Sequence, residues 1–184
     1  MTEFIPKDCN QEISLIDSMP VIICSGKRNS KVAKEITDKG FCSTKGIYYH
    51  GLKLHGLGFY RKGHLPHPEQ LLFTKASEND IAHLKRVATY IDNRTYFGDK
   101  IYGNVDFWAE MEQTNNCRML TPIKEIKDQP ESQKKGEKAY NDLFSKAVSS
   151  VRKPIESLFN WLIEKTDIQR ASKVRSIKGL LTFG

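Results

Sequence analysis

Cysteine is scarce in this chain: Cys9, Cys24, Cys42 and Cys117 lie far apart, with no C-x-x-C pair and no histidine at matching spacing. That indicates neither a zinc site nor a disulfide framework, and it fits a reducing cytosol. Long apolar runs are missing too. None approaches the ~18 to 20 residues that cross a bilayer, and residues 1–11 lack the apolar core of a signal peptide. No internal repeat is present. Acidic residues are in deficit, 22 against 29 Lys and Arg, and the formal charge of +7 favours a polyanionic partner, although a solvated basic surface explains it equally well. With 184 residues there is room for one compact domain but not two. The expectation is a soluble, cytoplasmic, single-domain protein.

Residues 13–23, ISLIDSMPVII, read as an interior strand, with near-continuous Ile, Leu and Val around one carboxylate, Asp17. An ionised carboxylate there is costly unless something cationic pairs with it, and a divalent cation would remove the cost. A solvent-facing Asp17, or a turn before Pro20, is the plainer reading of this segment alone. Residues 25–46 are polar and carry Lys27, Arg28, Lys31, Lys34, Lys39 and Lys45, with Val32, Ala33 and Ile36 allowing a short helix. Such a long connection is either functional or simply solvated.

Residues 47–59, IYYHGLKLHGLGF, have strand grammar, and the opposite parity of His50 and His55 rules out a simple metal pair. Both histidines default to structural or surface roles. Pro66, His67 and Pro68 mark a turn before a short strand over residues 71–74. Ser77 and Asp80 stand in the relation of a capping box, and Ile81, Leu84, Val87 and Ile91 follow at helical spacing, so a helix is expected over residues 78–91. Residues 95–98, TYFG, form a strand that delivers Asp99 at its carboxyl end, where parallel sheets place ligands. Asn104 caps the next helix, Asn115 and Asn116 stop it, and residues 117–122 form a fifth strand.

Residues 124–138, KEIKDQPESQKKGEK, are nearly devoid of apolar side chains and read as an exposed, mobile linker. Ala139, Leu143 and Phe144 then begin a helical pattern, and Ile155, Leu158, Phe159, Leu162 and Ile163 define a strongly amphipathic helix entered through Pro154. The element order predicts an α/β fold built on a mixed five-stranded sheet, three antiparallel strands and then two parallel, flanked by helices. On the last helix Arg152, Glu156 and Asn160 share a face beside the apolar stripe. An ordinary surface pair of Arg and Glu explains that spacing, and so does a carboxylate aimed at a metal with a guanidinium aimed at a phosphate.

These segments resemble the catalytic domain of the DDE transposases of bacterial insertion sequences, whose fold is RNase H-like. LIDSMPV resembles the family's first-strand motif, YFGDKIYG the motif ending its fourth strand, and VRKPIESLFNWLIEK the helix with its Glu. YYHGLKLH and KASENDI resemble segments between the two Asp motifs, and the likeness runs from about Ile13 to Lys178. The resemblance assigns catalysis and metal binding to Asp17, Asp99 and Glu156. It implies two Mg²⁺ or Mn²⁺ ions, with Asp17 bridging both and Asp99 and Glu156 holding one each. Water would attack first to expose a 3′-hydroxyl at the element end, and that hydroxyl would then attack target DNA.

Arg152, Lys153, Lys165, Arg170, Lys173, Arg175 and Lys178 are the candidate DNA contacts. One branch of the family has Tyr-x2-Arg-x3-Glu-x6-Lys on the last helix. Here Arg152 and Glu156 fit it, but Ser149 and Ile163 hold the Tyr and Lys positions, and Lys165 falls two residues late, which places the chain in another branch. Residues 1–184 are expected to be one catalytic domain without the N-terminal module that recognises element ends. The partners implied are element-end and target DNA, with a homodimer in the synaptic complex and a nucleoid-associated location in a bacterium. A catalytically inactive remnant that binds DNA nonspecifically, and an RNase H-like nuclease that hydrolyses without joining, remain the competing readings.

Overall fold

The structure is a computed structural model that describes residues 4–25, 35–123 and 131–168. Its elements in chain order are β1 (Cys9–Ser25), β2 (Asp38–Cys42), β3 (Ile47–Arg61), β4 (His67–Lys75), α1 (Asp80–Ala88), β5 (Thr95–Phe97), a short 3-10 helix (Lys100–Tyr102), α2 (Val105–Asn115), β6 (Arg118–Leu120), α3 (Glu131–Arg152) and α4 (Pro154–Thr166). β1 and β3 form a long antiparallel pair, and β5 and β6 run parallel to β1. β2 and β4 both pair antiparallel with β3, β2 along residues 47–51 and β4 along residues 52–59. Six strands therefore fill five positions, with β2 and β4 end to end on one edge. This is the mixed α/β sheet expected of an RNase H-like fold.

β2 departs from expectation: Asp38–Cys42 falls within the expected polar connection, yet it pairs with β3. Its inward residues are Gly40 and Cys42 while Phe41 faces out, so the alternation that marks a half-buried strand is hidden. The short helix expected around Val32 and Ala33 lies outside the described residues. α1 begins later than expected, because Asn79 and not Ser77 accepts the N–H groups of Ile81 and Ala82. Ser77 instead bonds Asp38. His67 and Pro68 belong to β4 and not to a turn. Pro68 sits at a register shift opposite Gly58, a place where a residue without an N–H is tolerated. Of the expected linker, residues 131–138 are helical, since α3 starts at Glu131. Residues 136–138 are exposed, and so polar a sequence has no apolar stripe to betray a helix there.

The sheet separates two cores. On one face Leu15, Met19, Val21, Ile23, Leu52 and Leu54 pack under Ile155, Leu158 and Phe159 of α4; each of those α4 side chains contributes about 1.5–3 kcal/mol by burial. On the other face Ile16 and Leu57 pack with Leu84 and Ala88 of α1, Tyr96, Tyr102, Trp108 and Met111. β5 pairs only with Ile13, Ser14 and Leu15 of β1. Beyond Leu15 that edge of β1 has no strand partner among the described residues, which accommodates Pro20 and leaves a crevice beside Asp17.

Candidate active site

Strand register brings the first two acids together. Leu15 of β1 is level with Phe97 of parallel β5, and Asp17 and Asp99 each lie two residues further on, past the last paired residues, close enough for Asp99 to raise the Asp17 pKa. The step of two within β1 keeps Asp17 on the face of Leu15, which α4 covers. Asp99 stands just past the end of β5, where its carboxylate accepts the Lys100 N–H at 2.7 Å and caps the 3-10 helix. A side chain at Gly98 would meet the Tyr102 ring at 2.9 Å and Ile16 at 3.0 Å, so the approach to Asp99 requires glycine.

Glu156 arrives from the covering helix. Pro154 interrupts the backbone bonding between α3 and α4, but Lys153 stays in the right-handed helical region and the Glu156 N–H donates to its carbonyl. Arg152, the last residue of α3, therefore remains one turn from Glu156 and donates to its Oε1 at 2.5 Å. The same guanidinium donates to Asp17 Oδ2 at 2.7 Å. α4 settles low over this point because β3 has Gly56 opposite Asp17: a Cβ there would stand 2.8 Å from the Phe159 ring.

The electrostatics report the same convergence. Burial is the largest influence on Asp17 and pushes its carboxyl up to about 6, with Arg152 and the Ser18 N–H pulling it down and Glu156 and Asp99 pushing it further up. The Asp17 side chain is 19 % exposed and Arg152 15 %, whereas Glu156 is 46 % exposed, so the pocket opens to solvent on the helix side. All three acids supply hard oxygen donors, the chemistry that divalent Mg²⁺ and Mn²⁺ prefer. As they stand, no group of three His, Cys, Asp or Glu side chains among the described residues is arranged to hold a metal ion. The space between Asp17 and Glu156 is bridged by the Arg152 guanidinium.

The other sequence candidates divide. Lys153 and Lys165 are exposed at the two ends of α4. Arg152 is committed to two carboxylates and is not poised for a phosphate. Ile163, at the Lys position of the family's other branch, packs against the core under α4. Arg170, Lys173, Arg175 and Lys178 lie outside the described residues. Sequence reasoning missed the bridge from Arg152 to Asp17 and a second polar cluster on the opposite face of the sheet. There Lys53 donates to the Glu78 carbonyl at 2.7 Å and pairs with Asp80 at 3.3 Å, while buried His55 bonds Thr74 and stacks on His83 at 4.0 Å. Burial, then His83, lowers the His55 pKa to about 4, so His55 is neutral beside the Lys53–Asp80 ion pair beneath α1.

Comparison with curated proteins and with solved structures finds no significant match. Residues 8–178 match the transposase DDE domain family, a span that contains Asp17, Asp99 and Glu156 in the order the strands and α4 bring them together. The chain belongs to the transposase DDE domain family.

Proposed function

We propose that this chain is the catalytic domain of an insertion-sequence transposase that cleaves DNA strands and joins the freed ends to target DNA, with Asp17, Asp99 and Glu156 as its catalytic carboxylates. What supports the reading is that Asp17 feels both Asp99 and Glu156 and that Arg152 ties Glu156 to the Asp17 carboxylate. Two divalent ions, Mg²⁺ or Mn²⁺, would supply charge neutralisation at the attacking and leaving oxygens of an in-line displacement. The three carboxylates would hold them. Asp17, raised by burial and by its acidic neighbours, gains most from a cation, because each of those influences penalises its ionised form.

Arg152 has to leave the carboxylates for ions to enter, and a phosphate is the natural acceptor for its planar fork. Lys153 and Lys165 flank the same helix and would hold the DNA backbone by charge, with affinity that falls as salt rises. The partners are thus element-end and target DNA, and a homodimer would pair two such sites in a synaptic complex. The test is Mg²⁺- or Mn²⁺-dependent nicking and strand transfer with element-end DNA. Wild type should nick and join, and Asp99→Ala should do neither. Equal activity of the two proteins rejects the assignment, and nicking without joined products favours the hydrolytic nuclease.

A further inference from the structure

β3 runs well past the catalytic pocket, and its outer end carries an arrangement the active site does not use. Gly56, opposite Asp17, and Leu54, Leu52, His50 and Tyr48 have the same parity, so they share the face on which Asp17 lies. Leu54 and Leu52 are buried with the α4 core, but Tyr48 is 58 % exposed. Its cross-strand partner on β2 is Phe41, 53 % exposed. The two rings lie 4.9 Å apart at 53°. Lys39, next on the same face of β2 and opposite His50, holds its ammonium 4.7 Å from the Tyr48 ring centroid.

The opposite face of the same hairpin is filled normally, by Gly40, Cys42 and Tyr49 packed with Ala76. The exposed rings are therefore not a frayed end of the core; they are the outward side of a hairpin whose inward side is complete. Along the strand, eight residues separate Tyr48 from Gly56, roughly 27 Å at ~3.4 Å per residue.

Resting on the reading of this chain as a DNA strand-processing domain, we propose that Phe41, Tyr48 and Lys39 form a stacking platform for unpaired bases of a DNA strand leading to the catalytic pocket. Ring faces beside a cation are what an unpaired strand needs, because every base offers a π-face and every nucleotide a phosphate. Paired bases inside a duplex are stacked on each other and present no face to a ring. Charge complementarity points the same way: Lys39 and Lys45 are exposed on the hairpin, and the one acid of β2, Asp38, is engaged by Ser77. His50 lies on the platform side and adds a donor.

The experiment measures fluorescence anisotropy of a labelled 20-nucleotide single strand and the matching blunt duplex. Wild type, Phe41→Ala/Tyr48→Ala, Tyr48→Phe, Lys39→Ala and Asp99→Ala are compared across a salt series. The double variant should lose about 5- to 150-fold in single-strand affinity and stay within about twofold on the duplex. Tyr48→Phe should bind as wild type does, and Lys39→Ala should flatten the single-strand salt slope by about 0.7. Unchanged single-strand affinity in the double variant, or an equal loss on both DNAs, overturns the platform. Nicking assays on the same proteins separate the two readings. Ring-dependent binding by a wild type that never nicks removes the catalytic assignment alone, nicking with ring-independent binding removes the platform alone, and no DNA binding at all removes both.

Discussion

Replacing Asp17 by asparagine should stabilise the metal-free protein at pH 8 while abolishing cleavage. In the folded chain the Asp17 carboxyl ionises near pH 6, against 3.8 for the free side chain. Between those values the folded protein keeps a proton that the unfolded chain has released, so stability falls as pH rises through this window. A gap of about 2 pH units corresponds to about 3 kcal/mol. His55 runs the other way. Its pKa is about 4 in the fold against 6.5 when free, so the neutral form favoured by burial adds stability as pH rises, by about 3 kcal/mol over the same window.

The two effects oppose each other in wild type, and His83, whose pKa burial also lowers, adds to the His55 side. Asp17→Asn removes one of them. Its stability should climb through that window and exceed wild type by about 3 kcal/mol at pH 8, or about 6–12 °C in Tm for a chain of this size. Asparagine leaves Arg152 its bond to Glu156, so no guanidinium is stranded. The assay is urea unfolding with chelator present, followed by tryptophan fluorescence, from pH 4 to pH 8. A variant less stable than wild type at pH 8 refutes the reasoning, because the pair with Arg152 would then outweigh the cost of burying the charge.

Arg152→Ala should raise the Asp17 pKa further, since Arg152 is the strongest influence lowering it; carbon-13 titration of the aspartate carboxyls reads the direction, and a fall contradicts it. Gly56→Ala should force Phe159 away from β3, at about 1–3 kcal/mol in denaturant unfolding, with cleavage reduced because Glu156 moves with α4. Asn79→Ala should cost about 1 kcal/mol through the lost cap of α1, and an unchanged unfolding midpoint would return the cap to Ser77.

Much of this fold is visible from the residues alone where burial pattern and chemistry agree. The crowded apolar run around Asp17 is a strand because both faces of β1 are covered, and Asp99 is found at a strand end because TYFG is short, aromatic and closed by a glycine that only the tight approach to Tyr102 and Ile16 explains. Asn104 and Asn116 mark both ends of α2, the first by accepting the Phe107 N–H and the second by its left-handed backbone. Where side chains answer to tertiary partners, local pattern misleads. Ser77 looks like a cap but is taken by Asp38, and β2 hides behind an outward Phe41. The bridge from Arg152 to Asp17 spans 135 residues, and no local spacing encodes it. On the helix the i,i+4 pair with Glu156 is all that shows.

The claim on which the catalytic account stands is that Asp17, Asp99 and Glu156 act as one cation site. Calorimetric titration of Mn²⁺ into wild type, Asp17→Asn, Asp99→Asn and Glu156→Gln tests it most directly. The account predicts saturable binding by wild type and its loss or strong weakening in each of the three variants. Undiminished binding in all three, with the proteins folded, would contradict it.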